Sequence, residues 1–444
     1  MGDHYLIQKP PLTALVQFAL PIILGNLFQQ IYTLADSAIV GRFVGEQALA
    51  AVGASYSLTN VFIHIAMGGG LGASVVASRY FGGGEYGKMK VAVTTALLSF
   101  LILSIFLGCF GFVFCRQLMT LLKTPADALD MAVEYLTIYF VGLPFLFMYN
   151  VISSMFNAMG KSRIPLGFLI FSSVLNILLD LYTVARLGMG VAGVAWATLI
   201  AQGISAVLSF IVYLVQLKRL DCGAGKLYDT GEFIKMARIA LPSILQQSTV
   251  SIGMMLVQSV INSFGSGPLA GFSAAMRVES LCIVPMAAVG SALSSYCSQN
   301  IGAGKLERVP QGYRVANWLV VCFAAVICVV VQLGNAPIIA FFLGEEGTAE
   351  AMATGQGYLG YMGWFFCFLG FKMAVDGVLR GAGDMIMFTI ANLVNLSIRV
   401  VLAVTLGPRY GIHMVWMVVP LGWIANLLIS YGQYRTGKWR NKTL

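Results

Sequence analysis

Long apolar segments recur along nearly the whole chain and are separated only by short polar stretches. A run of about 20 apolar residues is long enough to cross the hydrocarbon core of a bilayer as a helix. Since a backbone in lipid must satisfy its own hydrogen bonds, we predict that each segment is a transmembrane helix. Only 10% of the 444 residues are charged, against about 25% in soluble domains, which excludes a sizeable soluble domain. We expect an all-α polytopic membrane protein.

Twelve segments qualify as spans, six on each side of the longest polar interruption, KRLDCGAGKLYDTG. The predicted organisation is an N-terminal lobe (1–217), a cytoplasmic linker (218–231) and a C-terminal lobe (232–444). The predicted spans are 12–40, 48–80, 89–113, 131–157, 164–185, 190–217, 232–262, 269–300, 311–333, 350–379, 385–406 and 412–434.

The distribution of basic residues predicts the orientation. With the amino terminus in the cytoplasm, most of the 27 Lys and Arg residues fall in cytoplasmic loops, as the positive-inside rule requires. The net charge of +9 is spread over these loops rather than clustered, so we do not expect a nucleic-acid partner. The first apolar run lacks a small-residue cleavage site and is expected to stay as the first span. We predict a monomer in a prokaryotic plasma (inner) membrane, with both termini cytoplasmic.

The two halves of the chain repeat each other. Ala19-Leu20-Pro21 recurs as Ala240-Leu241-Pro242, and the sequence FGGG at 81–84 recurs as IGAG at 301–304. A repeat with an even number of spans keeps the same orientation in both copies. We therefore predict two six-helix lobes related as parallel repeats around a central cavity, an arrangement typical of alternating-access transporters.

Two carboxylates lie inside predicted spans of the first lobe. Asp36 comes six residues before Arg42, and Asp180 six before Arg186, so helical rise places both ~9 Å below the outer boundary. An ionisable residue at the centre of a span costs roughly 2.5 to 3.5 kcal/mol on insertion scales and is first interpreted as functional. The alternative is that each carboxylate simply pairs with the arginine that follows it.

Polar neighbours are predicted at a similar depth. Asn176 shares a helix face with Asp180, and Asn150 and Thr198 fall at mid to outer depth. Paired carboxylates in a poorly hydrated site favour a bound proton, and carboxylate, amide and hydroxyl oxygens suit a hard cation. We predict a cation-coupling site for H⁺ or Na⁺ at these residues, with Asp36, Asp180 and Asn176 as the candidate Na⁺ ligands. Pro21, on the same helix as Asp36, marks a predicted bend.

The second lobe carries different charges. Arg399 occupies the repeat position of Asp180, so the carboxylate site is not duplicated. Asp376 has Lys372 at i−4, and mutual neutralisation is the simpler interpretation of that pair. Glu279 is the better candidate for contacting a cationic substrate, because the i+2 spacing directs Arg277 largely to another face. Residues proposed to contact substrate in the cavity are Glu279, Arg277, Asp376 and Arg399.

Signatures of enzymatic chemistry are missing from the sequence. It contains no Walker A motif, no HExxH and no CxxC spacing, and only three histidines. Most of the eight cysteines lie in apolar runs, where cysteine behaves as a small hydrophobe. We expect no enzyme activity, no cofactor, no disulfide framework and no structural metal.

Several segments resemble the multidrug and toxic compound extrusion (MATE) family, in particular its prokaryotic DinF-like branch. They include ALPIILGNLFQQIYTLADSAIVGRFVG, LAAVGASYSLTNVF, SVLNILLDLYTV, SSYCSQNIGAGKLERV and GVLRGAGD, and the similarity covers nearly the whole chain. The resemblance implies twelve helices in two lobes and export of cationic, lipophilic compounds by proton or sodium antiport. It also implies a coupling role for Asp36, Asn150, Asn176, Asp180 and Thr198, and a bending role for Pro21.

One motif departs from the family pattern. The ending Leu-Arg-x-x-Gly-Asp of the fourth span is intact in the second half, at 379–384, but reads FNAMGK at 156–161 in the first half. That difference bears on any inner-gate ion pair and not on the cation site. A flippase for a lipid-linked precursor is the main alternative, although it would need a strongly cationic cavity. A passive channel and a membrane-embedded enzyme are further alternatives with less support.

Overall fold

The structure is a computed structural model that describes residues 4–122, 124–220, 226–343 and 348–442, and within these ranges it contains helices and no strand. The π-helical segment Leu181–Arg186 continues α6, and a 3₁₀ turn covers Lys438–Asn441. The α-helices are α1 Tyr5–Gln8, α2 Pro11–Phe43, α3 Glu46–Gly82, α4 Tyr86–Leu121, α5 Ala126–Ala158, α6 Arg163–Asp180, α7 Gly190–Lys218, α8 Thr230–Asn262, α9 Ser266–Gly302, α10 Arg308–Leu343, α11 Ala349–Gly363, α12 Phe366–Ala382, α13 Met385–Tyr410 and α14 Ile412–Arg435.

The helices have the length and apolar composition of membrane spans. In the described ranges, 11 helices qualify individually, and the pair α11 and α12, bent by 52°, makes a twelfth if it counts as one span. The predicted all-α polytopic fold is confirmed. The predicted span 350–379 corresponds to α11 and α12 together, and the structure adds a break in the helix after Gly363.

The break in this span is stabilised by a neighbouring helix. The amides of Trp364 and Phe365 donate to the carbonyl oxygens three residues earlier, at 3.3 and 2.9 Å, instead of four. The carbonyl oxygen of Gly360 thereby loses its usual helical partner, and Gln332 Nε2 of α10 donates to it at 2.6 Å. Asn335 Nδ2 donates to the carbonyl oxygen of Gln356 at 2.8 Å. Broken helices persist in a membrane only where such groups are satisfied by protein.

The chain forms two compact units. One comprises residues 24–244, and the other comprises residues 1–23 with 245–444. Their boundaries fall inside α2 and α8, two residues after Pro21 and Pro242, respectively. The units therefore differ from the predicted lobes, 1–217 and 232–444, in where the first segments of these two helices belong.

In the unit of residues 24–244, α5 packs against α3, α4 and α7. Its core includes Phe62, Phe140 and Phe147, and the rings of Phe62 and Phe140 meet edge to face with centroids 5.3 Å apart. A Cβ atom at Gly70 of α3 would lie 2.5 Å from Ser154 Oγ and 3.2 Å from the Asn150 carbonyl oxygen, both on α5, so glycine permits this close approach of the two helices.

In the other unit, α9 packs against α10, α11 and α12. The short helix α1 joins this core through the buried side chains of Tyr5 and Leu6. Asn300 Nδ2 donates to the carbonyl oxygen of Leu6 at 3.2 Å, and Arg308 Nη2 donates to that of Lys9 at 2.5 Å. The carbonyl groups at the end of a helix lack helical partners, and cationic or amide donors stabilise them.

Candidate functional site

Asp36 and Asp180 meet inside the unit of residues 24–244. Asp36 lies toward the C-terminal end of α2, and Asp180 is the last residue of α6 and is fully buried. Their carboxyl groups are close enough to form a hydrogen-bonded pair. Neither carboxylate forms an ion pair with Arg42 or Arg186, although all four side chains are described. The simple arginine pairing considered from the sequence is therefore absent.

The side-chain amide of Asn176 connects this carboxylate pair to α7. One end of the amide lies 2.9 Å from Asp180 Oδ2 and 3.2 Å from Tyr32 Oη, and the other lies 3.1 Å from Thr198 N and 3.2 Å from Thr198 Oγ1. We assign the nitrogen to the Asp180 end, because only then do both ends of the amide have suitable partners. Asn176 is 2% exposed, so its hydrogen bonds are largely shielded from solvent.

Two tyrosines border the site and were missed in the sequence interpretation. Tyr32 precedes Asp36 by one helical turn on α2, and Tyr135 lies on α5, close enough to both carboxylates to interact with their charges. The i, i+4 spacing of Tyr32 and Asp36 was the available signal. No comparable local pattern links Tyr135 to the carboxylates, since it lies on another helix.

The remaining predicted residues of this site have different surroundings. The side-chain amide of Asn150 donates to the carbonyl oxygen of Leu146 in its own helix at 2.9 Å. Pro21 lies inside α2, which is helical without interruption from Pro11 to Phe43. The structure thus brings together Asp36, Asp180, Asn176 and Thr198, whereas the described hydrogen bond of Asn150 is local.

The carboxylate pair has unused hydrogen-bonding capacity. Oδ1 of Asp36 and Oδ1 of Asp180 are both buried and have no hydrogen-bond partner. Buried polar atoms are normally paired, so two unpaired carboxylate oxygens need an explanation such as a bound proton or ion. Carboxylate and hydroxyl oxygens together form a donor set for a hard cation. Within the described residues no group of three or more His, Cys, Asp or Glu residues forms a metal cluster.

The predicted substrate residues of the second half fall into separate groups. Glu279 of α9 is 3% exposed and accepts a hydrogen bond from the hydroxyl of Tyr358, and its charge interacts with that of Arg399 on α13. Arg277 is exposed, on a different face from Glu279. These placements follow the i+2 spacing of the two residues on α9.

Asp376 belongs to a second buried group. Lys372 Nζ lies 3.0 Å from Asp376 Oδ2, and both side chains are at most 5% exposed. Ser430 Oγ donates to Asp376 Oδ1 at 2.8 Å, and Lys372 Nζ donates to Asn392 Oδ1 at 3.0 Å. The two charges therefore neutralise each other within a hydrogen-bonded network.

Comparisons with known proteins give one consistent family. The sequence model of the MatE family matches residues 21–182 and 242–405. The chain is 30% identical over 441 residues to the probable multidrug resistance protein YpnP of Bacillus subtilis (strain 168), covering 99% of this chain and 98% of that protein. It is 25% identical over 352 residues to the FAD transporter of Shewanella oneidensis, covering 78% of each chain.

Solved structures show the same fold. A transporter of the MOP superfamily from Pyrococcus furiosus, described as having a binding pocket of reverse polarity, superimposes with a TM-score of 0.91 at 24% identity. That match covers 100% of this chain and 99% of the other. A MATE protein in a bent conformation superimposes with a TM-score of 0.90 at 24% identity, over 99% and 98% of the two chains.

Proposed function

Because the chain belongs to the MatE family of multidrug transporters, we propose that it is a cation-coupled antiporter that exports cationic, lipophilic compounds by alternating access. The coupling cation is H⁺ or Na⁺. Asp36 and Asp180 bind it, with Asn176 and Thr198 orienting the pair, Asn150 adding a polar group from α5, and Pro21 allowing α2 to bend. The protein acts as a monomer in a prokaryotic plasma membrane, with both termini cytoplasmic.

One observation carries this proposal most directly. The carboxyl groups of Asp36 and Asp180 form a close pair in which one oxygen of each is buried and unpaired, and among the described residues neither group forms an ion pair with an arginine. Two like charges at close range in a shielded site are unfavourable, so occupancy by a cation stabilises the pair. Coupling requires, in addition, that the inward-facing and outward-facing conformations bind this cation with different affinities, so that its binding shifts the equilibrium between them.

The coupling ion can supply the energy for export without ATP. One charge that moves inward across the membrane contributes ~2.3 kcal/mol per 100 mV, and a monovalent cationic substrate that moves outward consumes the same amount. In one-for-one exchange the chemical gradient of the coupling ion is therefore the driving force, and the membrane potential contributes only when more positive charge enters than leaves.

The test is gradient-driven transport in proteoliposomes. Ethidium export is measured with an imposed proton gradient and, separately, with an imposed sodium gradient, for the unsubstituted protein and for Asp36→Asn and Asp180→Asn. Both variants are expected to lose gradient-driven export, because an amide cannot take up the coupling charge. Asp130→Asn is the matched control, since Asp130 is an exposed carboxylate whose side chain is 82% exposed. Undiminished export by Asp36→Asn contradicts the proposal.

An anionic compound is a second candidate for the substrate. A relative that is 25% identical to this chain is named an FAD transporter, and this observation favours an anionic compound. Export of FAD but not ethidium from the same vesicles would establish this alternative while leaving the coupling site intact.

A further inference from the structure

The backbone changes geometry immediately after Asp180. α6 ends at this residue, and Leu181–Arg186 form a π-helix, whose wider turn is confirmed by the 3.0 Å hydrogen bond from Leu187 N to the carbonyl oxygen of Tyr182 five residues earlier. π-Helical turns are rare and occur frequently at functional sites. The helical register changes at this turn. The contacts that stabilise the π-helix therefore also determine the position of the Asp180 side chain.

One side chain fastens the π-helix to the next helix. Thr183 is 7% exposed, and its hydroxyl lies 2.9 Å from the carbonyl oxygen of Leu179 and 3.0 Å from that of Gly193. Leu179 belongs to the last turn of α6, and Gly193 to the first turn of α7. The hydroxyl has one hydrogen, which these two acceptors share, and it thereby links the end of the helix that carries Asp180 to the start of the helix that carries Thr198.

Gly193 permits this close approach. A Cβ atom at this position would lie 3.2 Å from Cβ and Oγ1 of Thr183 and 3.0 Å from Cβ of Met189, closer than most such contacts. The amide of Met189 also donates to the Thr183 carbonyl oxygen at 3.0 Å. Side chain and backbone of Thr183 thus both bind the segment that begins α7.

We propose that Thr183 is a positioning residue for the cation site. Its hydroxyl holds the π-helix against α7, and this contact sets the spacing of Asp180 and Asn176 on α6 relative to Thr198 on α7. Since the Asn176 amide must reach Asp180 and Thr198 together, a small displacement of α7 weakens one of these hydrogen bonds. The inference rests on the proposed coupling function and adds that Thr183 governs the apparent affinity for the coupling cation.

The test compares Thr183→Val with Thr183→Ser in proteoliposomes. Valine keeps the branched shape and removes the hydroxyl, whereas serine keeps the hydroxyl. We measure the concentration of coupling cation that gives half-maximal ethidium export, using outside pH and outside Na⁺ as separate variables, together with the maximal rate. Thr183→Val is expected to raise the half-saturating concentration about fivefold, the effect of losing one hydrogen bond. Thr183→Ser is expected to have the same half-saturating concentration as the unsubstituted protein.

One control variant and one replacement variant complete the test. Thr405→Val makes the same change at an exposed threonine on α13 whose hydroxyl bonds only its own helix, and it is expected to leave the half-saturating concentration unchanged. If Thr183→Val does not fold, as judged by thermal unfolding in detergent, Thr183→Ala replaces it.

The outcomes separate this inference from the proposed function. An unchanged half-saturating concentration in Thr183→Val, with gradient-driven export lost in Asp180→Asn, overturns the role of Thr183 alone. A lower maximal rate with unchanged cation dependence also overturns it, because that result indicates a purely structural role. If Asp36→Asn and Asp180→Asn both retain gradient-driven export, the coupling proposal fails and this inference fails with it.

Discussion

Gln332 on α10 donates a 2.6 Å hydrogen bond to the carbonyl oxygen of Gly360, close to the point where α11 ends and the chain bends by 52° into α12. A side chain of one helix thus replaces the backbone donor that a continuous helix would have supplied. The bend therefore depends on a residue of another helix as well as on the bent segment itself.

Gln332→Leu is expected to destabilise the protein. The substitution leaves the Gly360 carbonyl oxygen without a donor in an apolar environment, at a cost of about 1 to 3 kcal/mol. The apparent midpoint of thermal unfolding in detergent should fall, and a spin-label distance across the bend should broaden. Gln47→Leu, at an exposed glutamine at the start of α3, is the control and should change neither quantity. An unchanged midpoint for Gln332→Leu would mean that the bend is maintained without this hydrogen bond.

Tyr32→Phe is expected to weaken cation binding. The hydroxyl of Tyr32 lies 3.2 Å from the Asn176 amide nitrogen, so its removal leaves one amide hydrogen without a partner beside Asp180. The half-saturating concentration of coupling cation in vesicle transport should rise about threefold to tenfold. Tyr56→Phe, at a tyrosine that is 55% exposed, serves as the control. Equal cation dependence in the two variants would remove Tyr32 from the site.

Replacing one partner of the buried pair Lys372–Asp376 is expected to lower the free energy of unfolding more than replacing both. Lys372→Met leaves an uncompensated carboxylate in an apolar interior and should cost about 3 to 5 kcal/mol, whereas Lys372→Met with Asp376→Leu should recover most of that loss. Thermal unfolding in detergent measures both.

The exposed pair Lys88–Glu85 provides the matched control. Its side chains are 63% and 46% exposed, so Lys88→Met should leave the unfolding midpoint unchanged. A double variant no more stable than Lys372→Met alone would show that Asp376 has stabilising contacts, such as that with Ser430, that do not depend on the lysine.

Gly377→Ala is expected to lower stability although alanine favours helices. Gly377 of α12 lies against the backbone of Gly290 on α9, and an added Cβ would collide with the Gly290 carbonyl oxygen. Gly432→Ala on α14 is the opposite case, because no atom lies within 4 Å of its added Cβ. That variant should gain up to about 1 kcal/mol from helix propensity. Thermal unfolding of the two variants should therefore shift in opposite directions, and parallel shifts would contradict the packing argument.

The sequence alone determined the all-α membrane fold and the approximate spans, and it singled out Asp36 and Asp180, which the structure brings close together. These properties depend on hydrophobicity and helical rise, which are local to each segment. Spacing within one helix likewise placed Asn176 beside Asp180 and separated the faces of Glu279 and Arg277.

Only the tertiary structure decided the features that need a second helix. The break after Gly363 involves Gln332, the partners of Asn176 include Tyr32 and Thr198, and the π-helix after Asp180 is held by a contact between Thr183 and Gly193. No local periodicity encodes these contacts, because a buried polar group takes whichever partner packing brings within reach. Hydrophobicity therefore fixed which segments cross the membrane, and packing between helices fixed which polar atoms meet inside it.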